Sequence, residues 1–82
     1  MKLVEEPRFD KYKSKLKRQR IYRGFTQESL ADLSGVNIKS IAAYEQNSEK
    51  LAAASTSTVY KLADSLGCSI EDLLNKENIR RD

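Results

Sequence analysis

Apolar residues recur along this chain at helical spacing, and no segment shows the strict alternation of a half-buried strand. The clearest case is Thr26–Glu45, which reads as two short helices meeting at a sharp turn. Thr26 is a capping residue for the first of them, Leu30 and Leu33 mark its apolar face, and the small Ala31 leaves room for a crossing helix. Gly35 falls where a left-handed turn is needed, because a residue without Cβ takes positive φ at no steric cost. Asn37 caps the second helix, in which Ile41 and Tyr44 (i, i+3) turn inward and Lys39, Ser40, Ala42 and Ala43 are left largely outward.

The flanking pattern supplies the support. Tyr12 and Leu16 share a face of a predicted first helix from about Phe9 to Arg23, which Gly24 terminates, and Phe25 sits at the hydrophobic-staple position before Thr26. Gln46–Lys50 reads as a polar turn. Val59, Leu62, Ala63 and Leu66 then define a fourth helix that Gly67 stops; its start is placed near Ala52 or Ala53, with Ser57 as the alternative cap. Ser69 opens a short fifth helix, with Asp72 as its capping-box partner and Ile70, Leu73 and Leu74 as its apolar face. The expected architecture is an all-α, compact five-helix bundle over 9–75, with a loose arm at 1–8 and a frayed tail at 76–82.

Composition narrows the chemistry. The chain of 82 residues is expected to be one domain, too short for a core plus an elaborate active site. It has no histidine and a single cysteine, Cys68, so a histidine-based triad, a zinc site and an intrachain disulfide are excluded. No cofactor, metal or catalytic constellation is expected, and Cys68 reads as a small packing residue. No apolar run approaches the roughly 20 residues of a membrane span, so the expected location is cytoplasmic. The net charge of +3 hides an asymmetry: residues 1–25 carry nine Lys/Arg against three acids, whereas residues 26–82 carry six against nine. One end is suited to an anion.

Arg20, Gly24-Phe25, Thr26-Gln27, Leu30-Ala31, Gly35-Val36, Ile41, Tyr44-Glu45 and the run LADSLGCSIEDLL together resemble the phage repressor and Cro-like helix-turn-helix DNA-binding domains, over Leu16 to Leu74. That resemblance implies a lambda repressor-like fold and a regulator of transcription, here a repressor, that binds double-stranded DNA as a homodimer on an inverted repeat. It places Gln27 on a backbone phosphate, where free N–H groups and the helix dipole favour an anion. It makes Asn37, Ile38, Lys39, Ser40 and Ala43 the base-reading set, adds Lys17, Arg18, Asn47, Ser48 and Lys50 as phosphate contacts, and pairs Arg20 with Glu45 as a structural ion pair. The dimer contact falls on Ile70, Leu73 and Leu74. The sequence departs from the family at Gln19 and Ser34, where relatives often carry an apolar side chain, and at Ala42 and Ala43, which offer no hydrogen-bonding group. Those two alanines support the alternative of an antitoxin-like or accessory module that binds a protein partner.

Overall fold

Ser14 fixes where the first described helix starts. In the computed structural model, which describes residues 14–74, Ser14 has extended backbone angles, and its side chain accepts a 3.0 Å hydrogen bond from the Lys17 N–H. Helix α1 therefore runs Lys15–Tyr22. Residues 9–13, which the sequence pattern places in the same helix, lie outside the described residues, as do the arm at 1–8 and the tail at 76–82. The domain is all-α: among the described residues, α2 (Gln27–Ser34), α3 (Ile38–Gln46), α4 (Ser48–Ala52) and α5 (Thr56–Leu66) follow α1, and a 3-10 turn at Ile70–Asp72 closes the order.

Helix α2 packs against α5 and α3, while α1 lies on α3 and on the closing turn. Leu16, Leu30, Ile41, Leu51, Leu62, Leu66 and Leu73 are the fully buried large side chains, so every element places at least one anchor in the core or, for the closing turn, directly after itself. Phe25, Tyr44 and Cys68 pack around that core from partly buried positions. Gly35 takes φ +79 between α2 and α3, the left-handed value that lets the second helix start with only three residues between it and the first.

Five expectations change. The polar stretch after α3 is a turn of helix: Asn47 caps it by accepting a 3.0 Å bond from the Glu49 N–H, and Leu51 plugs it into the core. Turn formers and N-caps share the same side-chain chemistry, so composition alone does not separate them. The next helix begins under Ser55, whose hydroxyl accepts from the Thr58 N–H at 3.1 Å; that cap lies two residues before the alternative Ser57 and away from Ala52 and Ala53. The fifth helix is a single 3-10 turn, although the Ser69–Asp72 capping box forms. Leu33 is 59% exposed, because the buried stripe of the eight-residue α2 runs through Leu30. Leu73 is 1% exposed and belongs to the core, which removes it from any dimer contact; Ile70 and Leu74 are partly buried against the same core.

The departures at Gln19 and Ser34 acquire distinct meanings. Ser34 accepts a 3.1 Å bond from the Val36 N–H and so helps shape the turn into α3. Gln19 buries its Oε1 with no hydrogen-bond donor among the described residues.

This packing predicts opposite outcomes for two leucines of the apolar pattern. Leu62→Ala should destabilise the fold by about 2–5 kcal/mol through the cavity it leaves. Leu33→Ala should change stability by about 0.5 kcal/mol or less, as surface substitutions do. Urea unfolding of the two variants checks both.

Candidate nucleic-acid interface

The two helices of the Thr26–Glu45 segment are held in register by one charged cluster. Arg20 projects from α1 into the domain, where its Nε donates to Glu45 Oε2 at 2.6 Å and its Nη2 to Oε1 at 3.1 Å. Its Nη1 donates to the Phe25 carbonyl at 2.9 Å, tying down the chain that leads into α2. The Glu45 side chain is 4% exposed. A fork-to-fork pair of this kind is geometrically selective as well as strong, because both partners are planar and bidentate. Gln27, the first residue of α2, joins the cluster by donating from Nε2 to Glu45 Oε1 at 3.1 Å. Three helices thus meet at one carboxylate.

At the amino end of α2, Thr26 Oγ1 accepts from the Ser29 N–H and Ser29 Oγ accepts from the Thr26 N–H, both at 2.9 Å. That box leaves the N–H groups of Gln27 and Glu28 as helix-end donors. An amide nitrogen carries two hydrogens, so the Gln27 side chain keeps one donor beyond its bond to Glu45. The end is suited to an anion by dipole and donors together, opposed by the exposed carboxylate of Glu28.

Helix α3 starts under Asn37, whose Oδ1 accepts from the Lys39 N–H at 2.7 Å. Ile38 is 39% exposed and Lys39 is exposed beside it, whereas Ser40, Ala42 and Ala43 are half-buried. Beyond α3, Asn47 is engaged as the cap of α4, Ser48 is half-buried with a partner of its own, and Lys50 is exposed on that helix.

The basic first segment serves the fold more than its charge count suggests. Lys15 Nζ donates to the carbonyls of Glu71 at 3.1 Å and Leu74 at 3.0 Å, closing the last turn onto α1. Arg23 Nη2 donates to the Gly67 carbonyl at 3.4 Å, and its guanidinium lies 5.5 Å from the centroid of the Tyr22 ring. Arg20 is in the cluster. Lys17 and Arg18 are half-buried on α1 and each has partners. Lys2, Arg8, Lys11 and Lys13 lie outside the described residues. Bonds to carbonyls leave Lys15 and Arg23 charged, so the field persists while the side chains are fixed.

Sequence reasoning missed an open groove on the flank of the turn, lined by Glu28, Ala31, Asp32, Gly35, Val36, Asn37 and Ile38. The legible signal was the i, i+4 spacing of Glu28 and Asp32, which puts two carboxylates on one face of α2. Cys68 sits half-buried beside the last turn, where desolvation first and the Asp72 charge second push its thiol up against the lowering effect of Arg23. A protonated, part-buried thiol suits packing.

The cluster makes a stability prediction. Glu45→Ala should cost about 3–5 kcal/mol, since it strands a buried guanidinium. The double variant Arg20→Met/Glu45→Leu should recover most of that loss, because a well-packed apolar pair is often no worse than the ion pair it replaces. Thermal unfolding of the single and double variants measures the difference.

No match is found among curated proteins, nor among solved structures. The sequence does match a family described as helix-turn-helix domain over residues 14–79, a span that takes in the capped α1, the Gly35 turn and the closing 3-10 turn. The chain belongs to the helix-turn-helix domain family, a DNA-binding fold.

Proposed function

We propose that this chain is a sequence-specific regulator of transcription of the phage repressor and Cro-like type, acting as a repressor by occupying double-stranded DNA. The observation that carries the reading is the Arg20–Glu45–Gln27 cluster, which ties the amino end of α2 to the last turn of α3 and, along that helix, to its exposed first turn. In this reading α3 enters the major groove with its first turn toward the bases, and the amino end of α2 rests on a phosphate. Gln27 supplies its second amide hydrogen and its backbone N–H to that phosphate. Lys50 and the partnered Lys17 and Arg18 lie near further phosphates.

One domain with a single short recognition helix has few base contacts available. Binding as a homodimer to an inverted repeat doubles them, with half-sites one helical turn, about 34–36 Å, apart. The self-contact excludes Leu73, which is buried, and uses the exposed margins of Ile70 and Leu74.

Phosphate contacts dominate affinity in such a complex, so log K should fall linearly with log salt at a slope near −0.9 per neutralised phosphate. Gln27→Ala should weaken binding about equally on every duplex and leave that slope nearly unchanged, because its side chain is neutral, whereas Lys50→Ala should reduce the slope by about 1. Fluorescence anisotropy with duplexes enriched from a random pool, across a salt series, measures both. A footprint should cover two symmetric half-sites. No detectable binding to any duplex at low salt would overturn the proposal.

A further inference from the structure

The bases that α3 prefers follow from which of its hydrogen-bonding atoms the fold has already used, given the DNA-binding reading above. A side-chain carboxamide reads adenine by offering an oxygen to N6–H and an N–H to N7 at once. Asn37 is the carboxamide of the first turn. Its Oδ1 accepts from the Lys39 N–H at 2.7 Å, and a backbone N–H requires an acceptor, so the oxygen is turned back onto the helix end. A side chain as short as asparagine, folded over its own helix, does not also present its two-atom edge to a base. Extending toward adenine would break the cap and forfeit about fivefold of the affinity gained.

What remains in the first turn is Lys39, Ile38 and Ser40. Lys39 is exposed and donates only, which suits the adjacent N7 and O6 acceptors of guanine. Ile38, 39% exposed, offers apolar surface that fits the C5-methyl of thymine, and the half-buried Ala43 adds a methyl of the same kind. The Ser40 hydroxyl both donates and accepts, so it discriminates poorly. No acidic residue lies in the first turn of α3 to accept from cytosine N4; Glu28 and Asp32 belong to α2, on the flank of the turn.

We infer that α3 reads guanine through Lys39 and thymine through Ile38 on the strand it faces, and that Asn37 holds the helix end instead of reading adenine. Half-sites should therefore carry a guanine and a thymine among the positions under α3.

The test uses the full chain and selection from a random duplex pool, followed by affinities for the selected site. Lys39→Met should abolish the guanine preference at one position and weaken binding there by about fivefold to a hundredfold. Replacing the selected thymine by uracil, which removes only the methyl, should weaken binding several-fold for the natural chain and have little effect on Ile38→Ala. Asn37→Ser, which keeps a capping oxygen, should select the same bases, with circular dichroism confirming an intact fold. An adenine preference that disappears in Asn37→Ser, or an unchanged selected site in Lys39→Met, would overturn the inference. Duplex binding with no base enriched would overturn the base assignment alone, whereas absence of all binding at low salt would overturn the DNA-binding reading with it.

Discussion

The carboxylate of Glu45 is the point on which the arrangement of this domain depends. It receives the Arg20 fork from α1 and the Gln27 amide from α2, and it sits near the end of α3. The same guanidinium holds the Phe25 carbonyl, so the path from α1 into α2 is fixed by the same group. A buried ion pair contributes little net stability against an apolar replacement, because its desolvation cost offsets its attraction. Its value here is geometric: an apolar contact between α1 and α3 tolerates sliding, whereas two planar forks accept one alignment. Ten buried apolar residues among the described ones hold the helices together. The cluster decides how they are set relative to one another, and with that the spacing between the amino end of α2 and the first turn of α3.

Much of this was legible in the sequence because local rules carried it. Thr26, Gly35, Gly67 and the Ser69–Asp72 pair each act within a few residues of themselves, and each acts as its chemistry suggests. What was not legible depends on tertiary context. Leu33 fits a helical apolar face, yet α2 meets its neighbours along the Leu30 side. Leu73 looks like an exposed hydrophobe of a terminal helix, but a 3-10 turn swings it into the core. Asn47 and Ser48 read as a turn, and only the burial of Leu51 shows why one turn of helix forms there. The amino-terminal charge excess was visible, while the carbonyl partners of Lys15 and Arg23 lie 44 to 59 residues away in sequence.

The candidate site shows the same division. The cap at Asn37 is a local feature, but its consequence for base reading depends on which amide atom faces the helix, and composition does not contain that atom-level fact. Fixing Oδ1 inward leaves a small, donor-rich and methyl-rich surface made of Ile38, Lys39 and the half-buried Ser40 and Ala43. So limited a surface reads few bases directly, and it places weight on phosphate contacts, on the deformability of the duplex and on a second copy of the domain.

In the proposed function, the amino end of α2 and the first turn of α3 form one DNA-facing unit. The most direct measurement is a titration of the isotopically labelled chain with a duplex, followed by two-dimensional amide NMR. The resonances of Gln27, Glu28 and Ile38–Ser40 should shift together along one binding curve, while those of Thr56–Leu66 stay largely in place. Shifts concentrated on Thr56–Leu66 or the closing turn, with α3 unperturbed, would contradict it.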